Sequence, residues 1–192
     1  MNKPNVREKI LEAGLAALHG KGFNATSVQD ITDAAQVPKG SFYNHFESKE
    51  ALGAQVVKLY VERSAPYSAP LADTSLAPLA RLRGHLENMV GLASSGEQFY
   101  GCLLGNFSTE LSGQSTLIRD EVAASLADWT ESVRVVIAGA QAAGEVPSTT
   151  PAAELAAFII NAWQGALLRS KAEHSRAPLD LFLKLVFAVL LV

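Results

Sequence analysis

The stretch TSVQDITDAAQVPKGSFYNHFESKEAL, residues 26–52, decides the fold. It opens on Thr26 and Ser27, either of which can cap a helix, with Gln29 or Asp30 three residues on as the return partner of a capping box. Val28, Ile31 and Ala35 then fall on one face of a short helix. Pro38 is tolerable only in a first turn, so a second short helix starts there. Phe42 and Phe46, four residues apart, share the inward face of that helix. Ser48 is placed to cap a longer helix through ESKEALGAQVVKLYVERS. Two short helices about a tight turn describe a helix-turn-helix, which needs a bracing helix before it. Ile10, Leu11, Leu15 and Leu18 supply one, and Gly20 and Gly22 stop its run.

Beyond Ser64 the chain reads APYSAPLADTSLAP, and prolines at 66, 70 and 78 predict a broken helix and a loop between domains. The expected division is residues 1–63 and residues 64–192. Leu82, Leu86, Met89 and Val90 mark the next amphipathic helix. A long one is expected from about Ser115 to Ala143, with Ile118, Val122, Trp129, Val133 and Ile137 on its stripe. Thr150 and Pro151 read as a cap and first-turn proline for a helix to about Lys171, and Pro178 opens the last helix. No alternating strand pattern and no repeat competes, so the fold class is all-α. Residues 181–192 have almost no polar face, which calls for a second partner beyond the chain's own core. A second copy of the chain is the economical candidate, and a homodimer is expected.

Composition narrows the function. Hydrophobic residues at 48% and charged residues at 18% suit an ordered globular chain rather than a disordered one. A single cysteine excludes an intramolecular disulfide framework, and MNKPNVREKILEAG lacks the apolar run of a signal peptide, so a cytoplasmic location is expected. The apolar C-terminus is shorter than a membrane span, is interrupted by Asp180 and Lys184, and lacks the basic face of a surface anchor. No cofactor loop and no metal-ligand spacing is present in the sequence. The formal charge of -3 hides an asymmetry: residues 1–63 carry eight Lys or Arg against seven Asp or Glu, leaving eight against twelve beyond. That suits a DNA-facing N-terminal segment.

At GSFYNHF and SKEAL the chain resembles the helix-turn-helix head of the tetracycline-repressor (TetR) family of bacterial regulators over about residues 6–63. The resemblance implies a C-terminal helical sensing and dimerisation domain, binding to a palindromic double-stranded operator, release by an inducer, and no enzymatic activity. It points to a repressor. In that reading a recognition helix runs from Pro38 to His45, and Gln36, Lys39, Gly40, Ser41 and Asn44 present themselves to a major groove. Tyr43, His45 and Lys49 match positions that grip phosphates, and the cap at Thr26 or Ser27 lies near another. Asn44 departs from the commonest residue at its position, which bears on sequence preference.

The lone thiol has two readings. Cys102 in GCLLGN is either an apolar core filler or a reactive group in the first turn of a helix through CLLGNFSTEL, where a helix dipole favours thiolate. SSGEQFYGCLLGNFSTEL and the later WQGALLRSKAEHSRAPLD resemble the TetR branch that contains the repressor of N-ethylmaleimide reductase. That resemblance implies electrophile sensing by Cys102, aided by Lys171. Related repressors with a GCLLGN-type box respond to small unsaturated acids, so a non-covalent pocket near Asn106, Trp129 and Trp163 stands as the alternative. A cysteine-dependent enzyme pairing Cys102 with His19, His45, His85 or His174 is the remote reading, because no nucleophile signature surrounds the thiol.

Overall fold

The computed structural model describes residues 5–94 and 100–192, so residues 95–99 of the SSGEQF stretch lie outside the described part. Among the described residues there are nine α-helices and no strand. They are α1 (Val6–Lys21), α2 (Val28–Ala34), α3 (Gly40–Tyr43), α4 (Lys49–Ala72), α5 (Pro78–Ala93), α6 (Leu103–Leu111), α7 (Thr116–Ala142), α8 (Ala152–Glu173) and α9 (Ala177–Leu185). A π-helical turn, Val186–Leu190, prolongs α9. The chain forms two compact units, one from residues 1–63 with 103–125 and the other from residues 64–102 with 126–192.

In the first unit α1 packs on α2 and α3. Asn5 and Glu8 cap α1 reciprocally, a box that the sequence pattern had not singled out. Gly22 ends α1 at φ 91°, a backbone region that only glycine enters without strain. At α2 the structure chooses between the candidate caps. Ser27 Oγ accepts from the Asp30 N–H at 3.1 Å while the Asp30 carboxylate accepts from the Ser27 N–H at 2.7 Å. The Ser27 hydroxyl also donates to the Asp30 carboxylate at 2.6 Å, and that bond, with the one from the Ser27 N–H, holds the Asp30 carboxyl below its ordinary pKa. Thr26 instead turns inward and donates to the Gly22 carbonyl at 2.7 Å. Ser48 caps α4 as expected, accepting from the Ala51 N–H at 3.0 Å.

Ile10, Leu18, Ile31, Phe42 and Leu52 are fully buried in this unit. Residues of α6 and the start of α7 complete its core. The Phe107 ring meets Phe23 edge-on at 5.8 Å. Gly53 has no room for a side chain, since a Cβ there would stand 2.8 Å from Ile118 Cδ1 and 3.0 Å from Phe23. The Asn24 N–H donates to Glu110 at 2.9 Å, so the loop after α1 is tied to α6.

Three expectations are corrected. Pro66 and Pro70 lie inside α4 and do not end it. A proline removes one amide donor and crowds one carbonyl, but the flanking turns here keep their helical bonds and the helix absorbs the loss. The end of α4 is closed by Arg81, whose guanidinium donates to the Leu71 carbonyl through both Nε and Nη2. α8 begins after Pro151, which occupies the cap position with no side-chain bond, so Thr150 is not its cap. α6 begins at Leu103, which leaves Cys102 just ahead of its first turn.

In the second unit α9 packs on α8 and α5. Leu82, Leu86, Val90, Val133, Ile137, Ile159 and Trp163 line its interior. α8 and α9 also leave a set of large apolar side chains outside: Phe158, Leu168, Leu181, Leu185 and Val189 are 47–67% exposed. No described helix is long and apolar enough to cross a membrane.

The choice of cap is measurable. Ser27→Ala is expected to lower the unfolding free energy by about 1 kcal/mol in urea titration. Gln29→Ala, which removes the partner that the structure rejects, should change it by less than about 0.5 kcal/mol. Equal effects would place the cap elsewhere.

Candidate functional site

The turn between α2 and α3 is built around a left-handed residue. Gln36 sits at φ 56°, with its N–H on the Asp33 carbonyl at 3.0 Å and the Val37 N–H on Thr32 at 3.0 Å. That places Gln36 at the surface and swings Pro38 out to start the next turn. α3 itself spans four residues, shorter than the expected Pro38–His45. Single turns extend it at both ends, from Ser41 N–H to Pro38 O at 2.8 Å and from His45 N–H to Phe42 O at 3.0 Å. Phe42 and Phe46 point into the unit, 0% and 4% exposed. Gln36, Pro38, Lys39, Gly40, Tyr43, Asn44 and His45 are exposed, and Ser41 is half-buried. The space above Gly40 is open, with nothing within 4 Å of a notional Cβ. Tyr43, 59% exposed, stands edge-on to Phe42 with its phenol outward.

Two of the expected contacts are placed differently. Thr26 is 1% exposed with its hydroxyl on the Gly22 carbonyl, so its side chain is withdrawn from that surface. Ser27, beside it, is exposed. The Lys49 ammonium donates to the Phe23 carbonyl at 3.0 Å and the Thr26 carbonyl at 2.9 Å, and lies 4.2 Å from the centre of the Phe23 ring. Two of its three N–H bonds are spent inside the head, with a cation–π contact added.

In the second unit Cys102 follows Gly101, whose φ of 80° turns the chain before α6. The thiol is 6% exposed, and its sulfur accepts from Gln164 Nε2 of α8 at 3.5 Å. Gln164 thus occupies the place that the sequence reading gave to Lys171. Lys171 stands seven residues further along the same helix, about 10 Å along the axis, and is exposed. No spacing in the sequence could have signalled Gln164, because the contact joins residues 62 apart. Asn106 is half-buried on α6 and belongs to the first unit.

The two tryptophans differ. Trp129 Nε1–H of α7 donates to His85 Nε2 at 2.9 Å, and His85 Nδ1 lies 3.1 Å from the Tyr67 carbonyl of α4. An indole N–H can only donate, so His85 Nε2 carries no proton and Nδ1–H donates to Tyr67. The fully buried imidazole is therefore neutral; desolvation pulls its pKa below the ordinary 6.5, while the bond to Tyr67 opposes that shift. Trp163 of α8 is 1% exposed, and its Nε1–H reaches no acceptor among the described residues. Leu126, Thr130 and Arg134 of α7 face Ile160, Asn161 and Gln164 of α8 across a groove of about 370 Å³.

Two protein-family models match the chain. "Bacterial regulatory proteins, tetR family" covers residues 10–56, and "Tetracyclin repressor-like, C-terminal domain" covers residues 78–186. The HTH-type transcriptional repressor DhaR of Mycobacterium sp. (strain GP1) is 40% identical over 192 residues, spanning 100% of this chain and 95% of DhaR. The transcriptional regulator AcuR of Cereibacter sphaeroides is 34% identical over 177 residues, spanning 91% and 80%. The crystal structure of a regulatory protein TetR from Rhodobacter sphaeroides superposes with a TM-score of 0.87 at 32% identity, covering 94% of this chain and 96% of that one. Reduced NemR of E. coli superposes equally well, TM-score 0.87 over 95% of each chain, but at 23% identity it speaks for the fold alone.

The buried histidine makes stability pH-dependent with a fixed sign. Unfolded histidine takes a proton near pH 6.5, whereas His85 in the fold resists it, so acid favours the unfolded chain. The contribution is complete above about pH 6.5 and is lost as pH falls from there through the lowered folded value. Melting temperatures of wild type and His85→Gln should converge as pH is lowered from about 7 to about 5. Parallel curves would show that His85 does not titrate with unfolding.

Proposed function

This chain belongs to the TetR family of bacterial regulatory proteins, and we propose that it is a dimeric repressor released from a palindromic operator by a small molecule or by modification of Cys102. Residues 1–63 act as the DNA-reading head and residues 64–192 as the sensing and dimerising part. The observation that carries the reading is the run from Gln36 to Phe46, which turns Phe42 and Phe46 inward and its donors, with Tyr43, outward. Gln36, Lys39 and Asn44 offer amide and ammonium groups suited to base edges, and Gly40 lets the backbone come close. Ser41, Tyr43, His45 and Ser27 hold the phosphate strand, with Pro38 setting the entry to the helix. Lys49 acts one step back, positioning the loop that carries Ser27. The relative DhaR is named as a repressor, which favours repression.

In this reading dimerisation rests on the large apolar side chains that α8 and α9 leave outside, which an interaction surface would cover. A twofold pairing of α8 and α9 would cover them. An effector that shifts α4 or α8 would change the spacing of two heads, and contacts in two successive grooves could not then all be kept. For the covalent route, the Cys102 thiolate adds to the β-carbon of an electron-poor alkene: a C–S bond forms as the C=C π bond breaks, the displaced electron pair takes up a proton from solvent, and the proton lost by the thiol passes to solvent. The enlarged side chain no longer fits beside Gln164. Lys171 serves in this reading as a positive charge two turns along α8.

Band shifts on a palindromic duplex test the head. Asn44→Ala should alter the preferred sequence, with a lost base contact costing about 1–3 kcal/mol. Tyr43→Phe should weaken all sequences alike, and Lys49→Ala should do so together with a lower melting temperature. Unchanged affinity in all three would sink the assignment. With a small electrophile or hypochlorite, wild type should release DNA and Cys102→Ser should not; equal sensitivity leaves the thiol as core. Sedimentation tests the dimer: Leu185→Glu or Val189→Glu should give monomers or aggregates, and a wild-type monomer with full operator affinity would overturn it.

A further inference from the structure

The least satisfied polar atom described in the second unit is Trp163 Nε1, an indole donor in a side chain that is 1% exposed. Its ring meets Phe182 of α9 at 5.7 Å, and Ile160 and Leu167, one turn either side on α8, are buried with it. A buried N–H without an acceptor carries a desolvation penalty that a ligand's acceptor atom removes. Trp129 cannot take this part, because its N–H is already held by His85. The two buried polar side chains described in this unit, His85 and Ser170, are likewise committed: His85 as above, and Ser170 through its hydroxyl to the Ser175 carbonyl at 2.6 Å.

The charge of the ligand follows from what surrounds the donor. None of the lysines and arginines of this unit is buried. Arg134, Arg169 and Arg176 are paired with Glu131, Glu173 and Asp180, while Arg81 is bonded to the Leu71 carbonyl. Residues 95–99, Ser-Gly-Glu-Gln-Phe, contain no cationic side chain. Arg83 stands beside Glu87 and over the Phe187 ring, and Lys171 and Lys184 are exposed, so a carboxylate drawn to Trp163 would be buried against one neutral donor with no buried counter-charge, a strongly unfavourable transfer. A neutral carbonyl oxygen meets no such cost.

We propose that the Trp163 indole N–H is the hydrogen-bond anchor for a small neutral carbonyl compound that acts as effector, as an ester, ketone or aldehyde and not as a carboxylate. This rests on the effector reading above and selects between its branches, turning away from the small unsaturated acid. The groove between α7 and α8 is lined by Ile160 and Gln164, three residues before Trp163 and one after it on α8, and in this proposal it is the way in. Gln164, which touches both that groove and the Cys102 sulfur, would bring a reactive carbonyl compound past the thiol on its way.

The protein's two tryptophans make the test direct. A ¹⁵N-labelled full chain gives two indole N–H resonances, assigned with Trp163→Phe. The unreactive ester methyl propionate and its charged counterpart propionate serve as probes. In the free protein the Trp163 proton should resonate upfield of the bonded Trp129 proton. Methyl propionate should move it downfield saturably, and propionate at the same concentration should leave it in place. Immobility with the ester, an equal response to propionate, or a free Trp163 resonance already as far downfield as that of Trp129 would each overturn the proposal. Band shifts on the same samples keep the two readings apart. A moved resonance with unchanged operator affinity preserves the anchor and refutes the effector role. Operator release by an electrophile with no response at Trp163 does the reverse.

Discussion

The head is organised around one ammonium group. Lys49 reaches back from the first turn of α4 to two carbonyls of the loop between α1 and α2, and lies against the ring of Phe23. That loop turns these carbonyls toward Lys49 after Gly22 ends α1 at a positive φ, and the Thr26 hydroxyl also bonds inward. Buried carbonyls need donors, and a hydrated surface loop could not hold this geometry alone. Once Phe23 and Thr26 are fixed, Ser27 can cap α2 with Asp30, and the left-handed Gln36 delivers Pro38 to the start of α3. Each outward side chain from Gln36 to His45 inherits its direction from that chain of local constraints. Lys49 therefore acts through the fold of the head, and a charge that looks superficial in the sequence is structural.

How far the sequence could be read depended on whether the deciding interaction was local. Helical periodicity located the interior residues because Ile31, Phe42, Leu82 and Ile137 obey a 3.6-residue period whatever lies opposite them. Ser48 was legible as a cap for the same reason, its partner being three residues away. Thr26 and Ser27 could not be ranked, because the inward hydroxyl bond of Thr26 depends on how α1 ends. Pro66 and Pro70 misled because an intrinsic helix breaker was outweighed by the packing of the helix that contains them. Around Cys102 the partner was unreadable: Gln164 and Lys171 share a face of α8, and only the three-dimensional placement of Gly101 and Cys102 selects the nearer one. The two tryptophans were indistinguishable as letters. His85 separates them by occupying the N–H of Trp129.

Apart from the Trp163 indole N–H, the second unit keeps its buried polarity scarce and assigned. Its histidine spans α4, α5 and α7 through one donor and one acceptor, and its buried serine closes the end of α8. Such an interior tolerates little rearrangement of polar groups, since every displaced partner leaves another unpaired. His85 fixes the tyrosine carbonyl of α4, while α8 is held by apolar packing, by the Gln164 contact and by the Ser170 bond to the Ser175 carbonyl. The outward apolar stripe of α9 continues that character to the surface.

The prolines within α4 carry a mechanical meaning. A regular helix resists bending because each turn is laced to the next by parallel hydrogen bonds, and stiffness is shared evenly along its length. Pro66 and Pro70 remove two laces within about one turn of each other, while the segment from Lys49 to Val61 keeps all of its own. Elastic compliance is thereby concentrated near one end of the rod.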